Sequence, residues 1–138
     1  MIKLFFCCHG TMASGMKKSL DILIGNTENL KVFDAYVNEE QVKDHVDAFF
    51  SSCEAKDMKV LMSDIYGGSV NQILYQYADR KNTILVTGIN LPLLLEIVVA
   101  ANNGILTEEI VTQYVEQAKD SIKVISIENV AESNDEFF

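Results

Sequence analysis

Ile2-Lys3-Leu4-Phe5-Phe6-Cys7-Cys8-His9-Gly10 is the stretch that decides the fold. From Ile2 to Cys8 only Lys3 is polar, a run too continuous for a strand with one wet face, so it reads as a strand of a parallel sheet covered on both sides. As a secretory signal the apolar run is too brief, and His9-Gly10 follows too soon. The spacing then turns helical, with Met12, Met16, Leu20 and Leu23 on one side, until Gly25-Asn26 closes the helix.

The unit repeats. Leu30 to Val37 predicts a second strand, and Asn38 the cap of a helix striped by Val42, Val46, Phe49 and Phe50. Lys59 to Ser63 predicts a third strand; after Gly67-Gly68-Ser69 comes a helix carrying Val70, Ile73, Leu74 and Tyr77. Thr83 to Thr87 predicts a fourth strand, followed by a helix that starts at Asn90 and Pro92 and is apolar nearly all round from Leu93 to Ala101. Asn102-Asn103-Gly104 ends that helix, and Thr107 caps a last one bearing Ile110, Val111, Tyr114, Val115 and Ala118. Ile122 to Ile127 alternates like an edge strand or an exchanged one. Strand and helix in alternation with short connections predict an α/β fold, an open and mainly parallel doubly wound sheet with helices on both faces. Residues 1–127 read as one domain and 128–138 as an acidic tail that favours solvent.

Composition narrows the function. Twenty acidic against 11 basic residues give a net charge of −9, which repels a phosphate-rich polymer and argues against nucleic acid as a partner. Cys7, Cys8 and Cys53 are an odd count without a C-x-x-C pair, so neither a disulfide framework nor a zinc site is expected, and a reducing compartment suits them. Inside a strand, Cys7 and Cys8 read as small buried hydrophobes rather than redox groups. The stretch from Leu91 to Ala101 is broken by Pro92 and Glu96 and is too short to cross a bilayer. So much apolar surface on one helix also suits a subunit interface.

In open α/β sheets, ligands bind beyond the carboxyl ends of the strands, where successive crossovers leave to opposite faces. His9-Gly10, Asp64 with Gly67-Gly68-Ser69, and Gly88-Ile89-Asn90 all fall at such ends. If the first and third strands are neighbours, His9 faces Asp64. A carboxylate that accepts the proton of one imidazole nitrogen leaves the lone pair of the other free to attack, which makes His9 a candidate nucleophile. A phosphorylated imidazole then needs donors, and the glycine turn at a helix start can offer backbone N–H groups. Blander readings exist for each residue: a strand-end histidine bonded to a carbonyl, an aspartate capping its own turn, a merely flexible Gly-Gly. His45, among Asp44 and Asp47, reads as part of a solvated helix face. A Walker-type lysine does not follow the glycines, which disfavours nucleotide binding.

Three segments together carry a family resemblance: Phe6-Cys7-Cys8-His9-Gly10 with Ala13 and Gly15, Ser63-Asp64-Ile65-Tyr66-Gly67-Gly68-Ser69, and Val86-Thr87-Gly88-Ile89-Asn90-Leu91-Pro92-Leu93-Leu94. In this order they resemble the IIA components of mannose-family (mannose, fructose, sorbose) bacterial sugar phosphotransferase systems, over roughly residues 1 to 126. The resemblance implies a phosphotransferase working through a phosphohistidine. His9 would be phosphorylated by the phosphocarrier HPr and oriented by Asp64. Ser69 and the nearby Gly10, Thr11, Gly67 and Gly68 would bind the phosphate, which passes to a IIB component. It further implies no metal or other cofactor in this subunit, a cytoplasmic carrier that meets the membrane only through the IIC and IID subunits, and a homodimer that exchanges its last strand. Sugar selectivity would belong to the membrane subunits. Val70 departs from the proline that many members carry after the serine; proline at a first helical position only presets a backbone angle, so Val70 leaves one more N–H available.

Two other uses of these residues compete. A regulatory IIA-like domain, a transport-state sensor or a dihydroxyacetone kinase phosphotransferase-like subunit, would use His9 as a switch. A non-catalytic small-anion binder would use the glycine turn but gives no reason for a histidine-carboxylate pair. Phosphoglycerate-mutase-like chemistry needs an arginine just before the histidine, where this chain has Cys8.

Overall fold

The computed structural model describes residues 1–127. Four strands, β1 (Ile2–His9), β2 (Leu30–Ala35), β3 (Met58–Ser63) and β4 (Thr83–Val86), form one parallel sheet in the order β2-β1-β3-β4. Among the described residues five helices accompany them: α1 (Met12–Leu23), α2 (Val42–Ser51), α3 (Ser69–Tyr75), α4 (Leu91–Asn102) and α5 (Glu108–Lys119). The α/β, doubly wound reading is therefore the fold.

The two-residue period of β1 sorts its side chains between two cores. Ile2, Leu4, Phe6 and Cys8 pack with α1, α4 and α5 on one face. Phe5 and Cys7 pack with α2 and α3 on the other. Because α1 leaves β1 toward one face and α3 leaves β3 toward the other, a crevice opens between the carboxyl ends of these two adjacent strands. The acidic tail expected over 128–138 lies outside the described residues.

Several local expectations are corrected. Met12 and Leu23 are 44 % and 57 % exposed, because α1 is rotated to bury Ala13 and Leu20 with Met16 beside them. That rotation is fixed at its first turn by Asp34, whose carboxylate accepts from Ser14 N (3.0 Å) and Ser14 Oγ (2.5 Å). β2 stops at Ala35 rather than Val37, since Tyr36 adopts φ +66°, outside the strand region. Asn38 does not cap α2: its Oδ1 accepts from Glu40 N (2.9 Å) in a local turn, and the helix begins at Val42 with Gln41 as its cap residue.

The later caps are as expected. Asn90 Oδ1 accepts from Leu93 N (3.0 Å) and Thr107 Oγ1 from Ile110 N (3.2 Å), each worth about 1 kcal/mol to its helix. Ile122 to Ile127 joins no ladder with the described residues, and Ile122, Val124 and Ile127 are exposed. A strand needs a neighbour to complete its ladder, and the four-stranded sheet does not include this segment.

Candidate active site

β1 and β3 pair with Cys7 opposite Ser63, which brings Asp64 to the rim one step below His9. A single oxygen, Asp64 Oδ2, accepts from the His9 backbone N–H (2.8 Å) and from His9 Nδ1 (2.9 Å). One bond ties the carboxylate to the strand and the other orients the ring, so the imidazole cannot turn without breaking a charge-assisted contact. The Asp64 side chain is 6 % exposed and the His9 side chain 39 %, so the anchor is dry and the nucleophile wet. Asp64 Oδ1 is buried and has no partner among the described residues, which leaves Oδ2 to carry the contact.

Burial raises the pKa of Asp64, but donation from the His9 backbone, the His9 ring and its own backbone N–H outweighs this and holds it below the ordinary 3.8. An ionised carboxylate is an acceptor only, so in the neutral ring Nδ1 carries the proton and Nε2 the lone pair. Ser69 Oγ lies 3.3 Å from that Nε2, and Tyr36 Oη lies 2.6 Å from Ser69 Oγ. The rings of Tyr36 and His9 are 5.3 Å apart.

The glycine turn shapes this arrangement. Gly67 sits at φ +74°, where a side chain would be strained. Gly68 has an ordinary φ but little room: a Cβ there would meet Ile65 O at 3.3 Å and His9 Cε1 at 3.6 Å. Its N–H bonds to Ile65 O (3.1 Å), and that of Gly10 to Ala35 O (2.9 Å), so these two amides are engaged in shaping the turns. Thr11 is exposed at the start of α1.

The third motif supports the rim without reaching the ring. Ile89 N bonds to Ser63 O (3.2 Å) and Asn90 caps α4. Buried Ser63 Oγ lies 2.8 Å from Thr87 Oγ1 and 3.0 Å from Asn71 Oδ1, a polar knot that joins the ends of β3 and β4 to the first turn of α3. Two residues went unnoticed in the sequence, Asp34 and Tyr36, both at the carboxyl end of β2. β2 pairs with β1 in parallel, so its end opens on the same rim, an adjacency that strand spacing alone does not mark.

Cys7 and Cys8 are fully buried, and burial followed by the charge of Asp64 pushes both thiols up, Cys7 to about 12. They are inert core residues. His45 lies on a partly solvated face, its side chain 36 % exposed beside exposed Lys43 and Asp44, while its ring stacks on Phe33 at 3.8 Å and its Nε2 meets Glu40 at 3.2 Å.

The open concavities at Thr107 and Glu108 lie at the opposite end of the sheet, where Met58 and Thr83 begin β3 and β4. His9 instead stands on an exposed rim, an arrangement fit to meet a group presented by another macromolecule rather than to enclose a small substrate.

Comparisons with known proteins bear on the family and the fold. The mannose-specific EIIAB component of the Escherichia coli phosphotransferase system (PTS) is 24 % identical over 125 residues, which cover 88 % of this chain. The chain spans 39 % of that relative's length. A Klebsiella pneumoniae structure assigned to a phosphoenolpyruvate-dependent sugar PTS permease superposes with a TM-score of 0.81 at 29 % identity, covering 89 % of this chain and 90 % of the other. The mannose/sorbose-specific IIA subunit from Enterococcus faecalis gives a TM-score of 0.76 at 16 % identity over 91 % of this chain and 95 % of the other, a likeness of fold. Residues 3–115 match the family described as the PTS fructose IIA component, EIIA-man, and the chain belongs to that family.

Proposed function

We propose that this chain is a phosphoryl carrier of a bacterial sugar phosphotransferase system, taking phosphate from phospho-HPr on His9 Nε2 and giving it to a IIB component. The observation that carries the reading is the pair of bonds from His9 to Asp64 Oδ2, which leave Nε2, beside the Ser69 hydroxyl on a part-exposed ring, as the nitrogen whose lone pair can attack. In the first transfer the Nε2 lone pair attacks phosphorus in line, the N–P bond of the donor breaks and the donor nitrogen regains its electron pair; in the second a nucleophile of IIB attacks, the N–P bond at Nε2 breaks and Nε2 regains its pair. The proton stays on Nδ1, donated to Asp64 throughout. Ser69 Oγ and the amides of Thr11, Gly67 and Ser69 donate to the phosphoryl oxygens, while Gly10 and Gly68 shape the turns that present them. Hydroxyls and amides hold a dianion less firmly than a cluster of cations would, which suits a carrier.

The reaction needs no metal or nucleotide in this subunit, and the carrier belongs in the cytoplasm, reaching the IIC and IID subunits through IIB. No helix among the described residues is long and apolar enough to cross a membrane. We also assign a homodimer that exchanges the segment from Ile122. Ser121 sits 3.4 Å from Asn90, near the carboxyl end of β4, and the outer edge of β4 has no strand partner among the described residues. The edge of β4 that lacks a strand partner among the described residues and an exposed apolar segment of the same chain complete each other in a symmetric pair.

The test is a chase. Protein labelled from phosphoenolpyruvate through the general phosphotransferase proteins is mixed with a IIB protein. Label moving to IIB supports the carrier; label that stays on the chain supports the regulatory switch instead.

A further inference from the structure

Tyr36 has a place at the site that the motifs of the chain do not assign. It is the first residue after β2, and the preceding Ala35 pairs with His9 across the sheet and accepts the Gly10 N–H. Its φ of +66° is a conformation that bulky residues seldom adopt, and with 58 % of the residue exposed no core packing requires the ring to be there. Such strain persists where a functional geometry depends on it.

Asp64 fixes the direction of the hydrogen bonds. With Nδ1 donating to Asp64, Nε2 of the neutral ring must accept, so the proton between Ser69 Oγ and Nε2 comes from Ser69. Ser69 has one proton, and Tyr36 Oη at 2.6 Å must therefore be the donor to Ser69 Oγ. The chain runs from the Tyr36 hydroxyl to the Ser69 hydroxyl to the Nε2 lone pair. Each bond polarises the next, so the phenol makes Ser69 a stronger donor and fixes its rotamer.

We propose that Tyr36 is a positioning residue that acts through Ser69, aiming the serine proton at Nε2 in the resting protein and at a phosphoryl oxygen once the phosphate is on. The inference rests on the carrier reading above. After transfer Nε2 has no lone pair, and the only acceptor left for the Ser69 proton along that line is the phosphoryl group, so Tyr36 stabilises the phosphorylated form more than the free one.

The experiment equilibrates the full chain with phospho-HPr and measures how phosphate divides between the two proteins by intact mass, for wild type, Tyr36→Phe, Ser69→Ala, the double variant and Tyr36→Gly. Tyr36→Phe keeps the ring and is expected to shift the division toward HPr by roughly three- to tenfold. Ser69→Ala is expected to shift it at least as far, with nothing added by Tyr36→Phe in that background. Tyr36→Gly relieves the backbone and should show the same loss with no fall in thermal stability, a pattern that a merely structural tyrosine would not give. A wild-type division in Tyr36→Phe, or shifts that multiply in the double variant, overturns the proposal while leaving the carrier intact. A wild-type protein that takes no phosphate overturns the carrier reading, and this inference with it.

Discussion

Asp64 Oδ2 lies 2.8 Å from the backbone nitrogen of His9 and 2.9 Å from its Nδ1, so one carboxylate oxygen sets both the position of the strand end and the orientation of the ring. Asp64→Asn keeps the shape but removes the charge, and an amide in this place can present its NH2 to a ring nitrogen and invert the tautomer. Loss of a charge-assisted bond worth about 1.5–3 kcal/mol corresponds to a roughly 10- to 150-fold slower single-turnover phosphorylation of His9. Quenched-flow labelling would measure it.

The same carboxylate leaves a mark on acid stability. Its folded pKa lies below the ordinary 3.8, so near that pH the unfolded chain binds more protons than the folded one, and stability rises with pH. The contribution is complete above the unfolded value and is lost as pH falls through the folded one. Urea midpoints followed from about pH 6 to about pH 3 should fall more steeply for wild type than for Asp64→Asn. Asp47 and Asp57 are also held low, but both proteins retain them, so the difference isolates Asp64.

The adjacent glycines separate stability from activity. Gly67→Ala forces a side chain into φ +74° with open space around it and should cost about 1 kcal/mol in folding, read as a lower denaturation midpoint. Gly68→Ala is acceptable to the backbone but sets a methyl 3.6 Å from His9 Cε1 and 3.3 Å from Ile65 O. Its expected effect is on the phosphorylation rate, with folding stability changed by less than Gly67→Ala changes it.

How much of this was legible in the sequence follows from where each signal lives. The apolar run of β1, broken only by Lys3, and the helical stripes gave the layers, because burial on two faces leaves little freedom in residue type. His9, Asp64 and the glycine turn were legible because each stands at the end of a strand, where backbone hydrogen bonding stops and chemistry-bearing side chains are affordable. Helix rotation was not: the stripe of α1 includes Met12 by spacing, and only the grip of Asp34 on Ser14, 20 positions away, turns it outward. Asn38 shows the same limit, since an asparagine that can cap a helix can equally close a two-residue turn. Tyr36 was missed because nothing local marks a tyrosine that leaves the strand with a positive φ.

Oligomeric state tests the proposed exchange. Ending the chain at residue 121 removes the exposed apolar segment that contains Ile122, Val124 and Ile127. Light scattering should give a dimer for the full chain and a monomer for the shortened one. A full chain that is monomeric at the highest concentration tested would rule the exchange out.

The central claim concerns one nitrogen. Protein labelled with 15N-histidine and phosphorylated through phosphoenolpyruvate and the general phosphotransferase proteins can be read by long-range 1H–15N correlation. The predicted result is an acid-labile phosphate on His9 Nε2, with Nδ1 protonated and facing Asp64, and no label in His9→Ala. Phosphate on Nδ1, or undiminished labelling of His9→Ala, would contradict the account.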